Sequence, residues 1–384
     1  MSETATKNHS PKKLGVLVGG SGLIGGYVTH YFKTRTQNDI ELRAPNSKKL
    51  SLRELDDIKG YFRRIKPDFV INAAIAAIDS DAELAFHVNY QGPVNLARAA
   101  LALKIPFIHI SSAATLPAGE NLSEEDHLPL DTNLSNYAKS KLMAEMTLKQ
   151  MHADQGLDCT IMRMAVVYGE HDHKIQGINR LIFSLAEESM PFMLTRKGVK
   201  HSYSNANKVP YFIHHILENR REFSGQIYNF VDREPVEMAN LILTLKAYMN
   251  ARLPKEIYVP YHLAKGGKHI MAWMFRVLSR IGVKGRLPAE LMFLENLYHT
   301  QTLSADKLLR SSFRDPAPEA TVFTELPNLI QYYLTRWEHL NLISLADKNF
   351  FTPLQKDTEM FLKQPRRLLE NVHRHGSGPL PDIR

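Results

Sequence analysis

The chain has 384 residues, of which 44% are hydrophobic and 23% are charged, an ordinary composition for a soluble protein with a large core. Its formal net charge of +8 favours small anionic partners, but the charge is spread along the chain, so nucleic-acid binding is not expected. The single cysteine, Cys159, excludes an internal disulfide framework and fits a reducing compartment. The sequence shows neither an apolar leader segment nor an apolar run of membrane-spanning length, and we expect a cytoplasmic protein.

The first half of the chain alternates between apolar runs of strand length and apolar residues at helical spacing. After a disordered tail at 1–12, strands are predicted at 14–18, 39–42, 68–72, 106–110 and 159–163, and helices at 52–65, 84–103 and 133–151. This alternation predicts an α/β protein with a doubly wound parallel sheet and right-handed crossovers.

Beyond Gly169 the pattern loosens, although one more strand is predicted at 226–230. Helices are predicted at 238–250, 269–281, 288–299 and 322–341, with an extended segment at 254–260. We therefore expect a dinucleotide-binding domain at 13–170, to which the strand at 226–230 returns, and a smaller C-terminal substrate lobe at 171–345. Residues 346–384 form a C-terminal extension to which the sequence assigns no role.

Glycines follow the first predicted strand at once, at positions 19, 20, 22 and 25, and a helical pattern follows them. Strand, glycine turn and helix are the context that a dinucleotide-binding fingerprint requires. Glycines permit the tight turn and let backbone N–H groups approach a pyrophosphate, while the helix N-terminus presents its positive end.

A tyrosine and a lysine, Tyr137 and Lys141, lie one turn apart in the helix predicted at 133–151. A free tyrosine has a pKa of ~10, and a nearby lysine cation is expected to lower that pKa toward the range useful for acid–base catalysis. Ser112, at the end of the fourth predicted strand, can reach the same crevice and hydrogen-bond a carbonyl or hydroxyl group.

Several motifs resemble those of the extended short-chain dehydrogenases/reductases, the NAD-dependent epimerase/dehydratase family. They are VGGSGLIG (18–25), INAA (71–74), HVNYQGPVNLARAA (87–100), FIHISSAAT (107–115), YAKSK (137–141) and RMAVVYG (163–169). The resemblance implies a Rossmann-type domain, a nicotinamide cofactor and a catalytic set in which Ser112 orients the substrate oxygen and Tyr137 exchanges the proton. It also implies that Lys141 tunes Tyr137 and binds the nicotinamide ribose. The first half is most similar to dTDP-dehydrorhamnose reductases and sugar-nucleotide epimerases.

The resemblance also implies which residues contact the cofactor. They are Gly19, Gly22, Leu23, Ile24, Gly25, Arg43, Asn72, Ala73, Ala74, Asn89, Ser111, Tyr137 and Lys141.

The end of the second predicted strand indicates which dinucleotide binds. NAD-binding chains place an acid there for the ribose hydroxyls, whereas this chain continues from Arg43 to Lys48 without one. Because Arg43 and Lys48 could hold a 2′-phosphate, NADP(H) is favoured over NAD(H).

The sequence leaves the substrate open between two classes of molecule. A nucleotide sugar would be reduced or epimerised, with Ser112, Ala113, Arg163 and Tyr168 as substrate contacts and cations available for its diphosphate. Those cations are Arg163, Arg180, Arg196, Lys197 and Lys200. A lipophilic alcohol or ketone, as in the hydroxysteroid-dehydrogenase-like branch, would instead contact Trp273, Phe275, Met292 and Phe293, and the segment at 269–299 leaves peripheral membrane contact open.

Four further interpretations concern catalysis, assembly and metal binding. A non-catalytic NADP-sensing protein is an alternative that the Ser112, Tyr137 and Lys141 set argues against, and a homodimer is left open. No metal is predicted, because the His171-x-His173 pair lacks an evident carboxylate or cysteine partner. The acid–base pair by which dehydratases of the resembled family are distinguished, Asp-Glu directly after the serine, is also missing. Ala113 and Ala114 stand after Ser112 instead.

Overall fold

The structure is a computed structural model that describes residues 12–36, 39–175, 177–186, 195–249, 259–267 and 297–343, together with 365–366 and 369–370. The helix predicted at 269–281 and most of the one at 288–299 lie outside the described residues, as do Trp273, Phe275, Met292 and Phe293. Among the described residues no helix is both long and apolar enough to cross a bilayer.

The described strands are β1 (Lys13–Val18), β2 (Ile40–Arg43), β3 (Phe69–Asn72), β4 (Phe107–Ser112), β5 (Gly119–Leu122), β6 (Cys159–Met164), β7 (Val166–Tyr168), β8 (Lys200–His201), β9 (Tyr203–Asn205), β10 (Gln226–Phe230), β11 (Val236–Glu237) and β12 (Gln301–Leu303). The helices are α1 (Leu23–Arg35), α2 (Leu55–Ile65), α3 (Ala82–Ala85), α4 (Gly92–Leu103), α5 (Asn136–Gln155), α6 (Gly177–Ala186), α7 (Val209–Glu218), α8 (Arg220–Phe223), α9 (Met238–Tyr248), α10 (Asp306–Arg310) and α11 (Val322–His339). A π-helical turn, Phe86–Gln91, joins α3 to α4, and a short 3₁₀ turn, Ala113–Thr115, follows β4.

Six parallel strands form the main sheet in the order β10-β6-β4-β3-β1-β2. In the five strands other than the edge strand β2, alternate residues contribute to two apolar layers. In β1, for example, Leu17 joins the core under α1 and α7, and Val16 joins the core under α2 and α4. These strands are therefore covered on both faces, which explains why they are mostly apolar. Chain order reverses between β1 and β3, and open α/β sheets bind ligands at the carboxyl ends of strands at such a point.

A second lobe lies beyond β7. Its four-stranded sheet has the order β11-β8-β12-β5, and its core gathers apolar residues from α6, α9 and α11, including Ile182, Leu241 and Trp337. The strand β5 comes from the loop between β4 and α5, so this lobe includes chain from the first half of the sequence.

The predicted α/β class and doubly wound parallel sheet are confirmed, including the strand that returns at 226–230. Several boundaries differ, including that of α5, which spans Asn136–Gln155 rather than 133–151. The second helix begins at Leu55, so the buried Leu52 packs from the preceding loop rather than from the helix. The helix predicted at 84–103 is interrupted by the π-turn, which the apolar spacing does not reveal.

Candidate active site

The glycine turn after β1 is a close backbone junction at the point where strand order reverses. Gly19 has a φ of 90°, and a Cβ there would lie 2.5 Å from the Ala73 carbonyl carbon after β3. A Cβ on Gly25 would lie 2.1 Å from the Gly19 carbonyl oxygen. Helix α1 begins behind this turn with Gly22 as its N-cap and no side-chain capping bond, so Leu23 and Ile24 open the helix beside the turn. This side-chain-free cradle at a helix N-terminus fits a dinucleotide pyrophosphate.

Two buried asparagines fix the loop after β3. The Asn72 Oδ1 accepts a hydrogen bond from the Ala74 N–H at 3.2 Å, and the Asn89 Oδ1 accepts one from the Ala76 N–H at 2.8 Å. Asn89 comes from the π-turn, a local irregularity common at functional sites, and its Nδ2 is buried with no hydrogen-bond partner in the described structure. This loop runs past Gly19, so the structure brings Asn72, Asn89 and the glycine turn to one edge of the sheet.

The three residues of the expected catalytic set meet at the carboxyl end of β4. Ser112 ends the strand and caps the 3₁₀ turn by accepting from the Ala114 N–H at 3.2 Å. Ser135 caps α5, which places Tyr137 in the first turn, where its phenol lies near enough to the Ser112 hydroxyl for Ser112 to act on its pKa. Lys141, one turn later and 2% exposed, donates from Nζ to the Ile110 carbonyl at 2.9 Å.

The protonation of this set differs from the sequence expectation. Burial raises the pKa of Tyr137, and the neighbouring Ser112 hydroxyl only partly opposes that effect. The expected lowering by Lys141 is absent, and the Lys141 ammonium donates to the Ile110 carbonyl instead. Burial lowers the pKa of Lys141 itself to about 8. The site therefore holds a protonated phenol beside a serine hydroxyl.

Two of the expected substrate contacts, Arg163 and Tyr168, bind other residues of the protein instead. Arg163 is 2% exposed, and its guanidinium is bound to the Glu145 carboxylate, with 2.8 Å between Nη2 and Oε2. Tyr168 is 1% exposed and donates its hydroxyl to Asp232 Oδ2 at 2.7 Å. Ala113 does adjoin Ser112, and its carbonyl accepts from the Gln301 side chain at 3.2 Å. Arg163 and Tyr168 are thus occupied within the fold and are not available to a ligand.

Arg43 lies where the sequence places it, at the end of β2, with Lys48 exposed in the following turn. Its Nε contacts Glu41 Oε1 at 2.8 Å, and both side chains are about half exposed. An exposed pair of this kind contributes little free energy, so it does not prevent Arg43 from meeting an anion.

The histidine pair after β7 is engaged with α11. His171 Nδ1 lies 3.1 Å from the Tyr332 hydroxyl, and His173 Nδ1 accepts from Arg336 Nη2 at 2.9 Å. Within the described ranges, no three His, Cys, Asp or Glu side chains come together as a metal site would need.

Two residues near the site are not predicted from the sequence. Glu145 stands four residues after Lys141 and accepts a hydrogen bond from Ser111, next to Ser112. Its spacing from Lys141 places it on the same face of α5 and could have indicated a position near the site. Gln301, on β12, reaches the carbonyls of Ala113, Leu116 and Pro117 at 3.1–3.2 Å. No sequence signal connects it to a turn almost 190 positions earlier.

The doubly wound sheet, the glycine turn and the Ser112, Tyr137 and Lys141 set define a nicotinamide-dinucleotide-dependent enzyme of the extended short-chain type. Residues 16–230 match the model of the NAD-dependent epimerase/dehydratase family, and the chain belongs to that family. No curated protein sequence matches the chain.

Solved structures resemble it over most of its length. A dTDP-4-dehydrorhamnose reductase from Bacillus anthracis, in complex with NADP, aligns with a TM-score of 0.59 at 14% identity, over 84% of this chain and 99% of that one. A UDP-glucose 4-epimerase from Thermus thermophilus, with NAD, gives 0.59 at 19% identity over 84% and 99%. A GDP-mannoheptose C4 reductase from Campylobacter jejuni, with NADP, gives 0.63 at 11% identity over 84% and 98%. At these identities the likeness concerns the fold.

Proposed function

We propose that the protein is an NADP(H)-dependent reductase that acts on a carbonyl carbon of a nucleotide sugar. The observation that carries this proposal is the position of the buried Tyr137, in the first turn of α5 beside Ser112 at the carboxyl end of β4, where burial favours the protonated phenol. Reduction of a ketone needs a proton donor at the oxygen, and a protonated phenol is that donor.

The cofactor would be held by the glycine cradle at its pyrophosphate and by the loop that Asn72 and Asn89 fix. Lys141 would bind the ribose next to the nicotinamide. When bound, NADPH supplies the hydride. Such binding also agrees with the fully buried, unpartnered Asn89 Nδ2, a donor at the edge of the sheet where the cradle lies.

The protein residues divide the remaining work among three side chains. Ser112 orients the substrate oxygen by a hydrogen bond, and Tyr137 donates its proton to that oxygen as the alcohol forms. Lys141, one turn after Tyr137, carries the positive charge that would meet the ribose hydroxyls of the cofactor beside them.

The preference for NADP(H) is supported by the end of β2. No acid stands between Arg43 and Lys49, and the Arg43 guanidinium is exposed there. Arginine binds phosphate by paired hydrogen bonds, and a 2′-phosphate distinguishes NADP from NAD.

A nucleotide sugar as substrate is supported by the structural neighbours, which include a dTDP-4-dehydrorhamnose reductase, a UDP-glucose 4-epimerase and a GDP-mannoheptose C4 reductase. It is also supported by Arg196, Lys197 and Lys200, which are exposed in the turn before β8 and in β8 itself. These cations replace Arg163 as the proposed partners of a diphosphate. These cations belong to the proposed substrate lobe, 171–345. The proposed dinucleotide-binding domain comprises 13–170 together with β10.

A lipophilic alcohol or ketone is the second candidate, and the loop after β3 favours it. Ile75 and Ile78 are 43% and 39% exposed, and Leu130, shortly before α5, is 52% exposed. The loop is tied to the start of α5 by a hydrogen bond of 3.3 Å from Asn136 Nδ2 to the Ser80 carbonyl. Large apolar side chains are therefore exposed in the segments that flank Tyr137.

Ligand-induced shifts in melting temperature separate the candidates. We expect NADP to stabilise the protein more than NAD, and UDP, dTDP or GDP to add a shift that shrinks as salt rises, because exposed charge contacts are screened. A shift with a sterol or long-chain ketone that persists in salt, without one from any nucleotide, would favour the second candidate. The assignment as a reductase is then tested by NADPH oxidation with 4-keto nucleotide sugars. NADP binding without turnover of either substrate class would favour a non-catalytic NADP-sensing protein.

A further inference from the structure

We propose that Glu145 is a positioning residue for the site. Its carboxylate holds the turn that carries Ser112 and provides the negative charge that faces Lys141. The role in catalysis rests on the proposed function, whereas the interaction with Lys141 can be tested without turnover.

The carboxylate of Glu145 binds the Ser112 turn on both sides of the serine. Glu145 Oε1 accepts a hydrogen bond from the Ser111 hydroxyl and lies 3.4 Å from the Thr115 hydroxyl. The single proton of the Thr115 hydroxyl is shared between this contact and the closer Ser112 carbonyl, at 2.9 Å. The residue before Ser112 and the last residue of the 3₁₀ turn are thus held to the helix that carries Tyr137.

A buried ion pair fixes Glu145 in place. Arg163 lies on β6 beside Ser111 on β4, and its Nε contacts the two carboxylate oxygens at 3.2 and 3.1 Å while Nη2 contacts Oε2 at 2.8 Å. The remaining Nη1 donates to the Glu124 and Asp126 carbonyls at 2.9 and 3.0 Å. Paired contacts of this kind specify orientation as well as charge.

The charges around Lys141 come from three elements. On α5, Glu145 stands one turn after Lys141 and both are 2% exposed, and Tyr137 stands one turn before it. On β4, His109 is fully buried, and burial together with the nearby Lys141 charge holds its pKa well below the ordinary value, so it adds no cation. On β6, Arg163 is the second cation beside Glu145.

Glu145 is therefore the anion that balances two buried cations. Burial lowers the pKa of Lys141, and Glu145 acts in the opposite direction. Asp126 and Lys307 interact electrostatically with Arg163, and the Glu124 carbonyl accepts a hydrogen bond from it. None of these three residues is among the groups that shift the pKa of Lys141. Without the Glu145 charge, the effect of burial on Lys141 would be unopposed, and Lys141 would lose its proton at a lower pH.

The test is the titration of Lys141 in wild type and in Glu145→Gln, which keeps the side-chain shape but removes the charge. Lysine labelled with ¹⁵N is followed by NMR, with Lys141→Arg used to assign the Lys141 signal. We expect the Lys141 midpoint to fall by about one pH unit or more in Glu145→Gln, which corresponds to a tenfold change in proton affinity. The upper pH limit for NADPH binding should fall with it.

A second variant guards against misfolding of the first. The double substitution Glu145→Gln/Arg163→Met leaves no unpaired buried charge, and the Lys141 midpoint should again fall, because the Glu145 charge is absent. A midpoint unchanged in either folded variant, whatever the melting temperature does, would show that Glu145 is only a structural residue and would overturn the inference. Failure of wild type to reduce any nucleotide sugar, with the midpoints moving as expected, would instead overturn the proposed function alone.

Discussion

Two neighbouring glycines at the start of α1 should respond in opposite ways to the same substitution. In Gly25→Ala the new Cβ would lie 2.1 Å from the Gly19 carbonyl oxygen and 2.7 Å from the Gly20 Cα, which is more than an ångström inside ordinary contact with backbone atoms. Backbone cannot give way as a flexible side chain can, so we expect a loss of about 1–3 kcal/mol in the free energy of unfolding.

Gly26→Ala is the matched control, because a Cβ on Gly26 meets nothing within 4 Å. Replacing glycine by alanine inside a helix stabilises it by about 0.5–1 kcal/mol. With roughly 2–4 °C per kcal/mol for domains of this size class, Gly25→Ala should melt about 2–12 °C lower than wild type and Gly26→Ala about 1–4 °C higher.

The assay combines thermal melting with calorimetric titration of NADP. Moving the turn should weaken NADP binding about tenfold or more in Gly25→Ala, since the cradle depends on close backbone approach to the pyrophosphate. Equal melting temperatures for the two variants, or an unchanged affinity for NADP in Gly25→Ala, would refute the assignment of this turn as the cofactor cradle.

Three other outcomes are expected. Tyr137→Phe should lower kcat by about 10²–10⁴-fold and leave NADPH affinity nearly unchanged, because the ring still packs while the proton donor is lost; steady-state kinetics with normal activity would remove Tyr137 from its role. Arg43→Ala should weaken NADP but not NAD in calorimetry, and Glu41→Gln, which releases Arg43 from its ion pair, should tighten NADP; equal effects on both cofactors would contradict the 2′-phosphate contact. Lys141 carries its charge below its pKa of about 8 and loses it above, so NADPH affinity measured across pH 6–10 should decline above about pH 8, whereas a flat profile would exclude that ammonium from binding.

The sequence predicts the main sheet well because its signals are local. Buried parallel strands are apolar throughout, and each is followed by a helix with its own 3.6-residue pattern. The glycine turn, Ser112, Tyr137 and Lys141 are also found this way, since each stands at a fixed position on a strand end or a helix.

Long-range polar contacts and burial could not be predicted in the same way. Arg163 has the charge that a diphosphate needs, but only the pairing of β4 with β6 shows that it faces Glu145 instead. The Tyr137 pKa depends on how deeply the phenol is buried, which a four-residue spacing to Lys141 does not encode. Gln301 reaches the Ser112 turn through a second sheet whose short strands leave no periodic pattern.

The proposed function requires that Tyr137 donates a proton to the substrate oxygen while a hydride is transferred to a carbonyl carbon of a nucleotide sugar. The most direct measurement follows deuterium from NADPH labelled at nicotinamide C4 into the product of a 4-keto nucleotide sugar, by mass spectrometry and NMR. We predict one deuterium at the new carbinol carbon with wild type and a loss of about 10²-fold or more in its rate of appearance with Tyr137→Phe. Label that appears at the same rate in both proteins, or no labelled product from wild type saturated with NADPH and the keto sugar, would contradict the account.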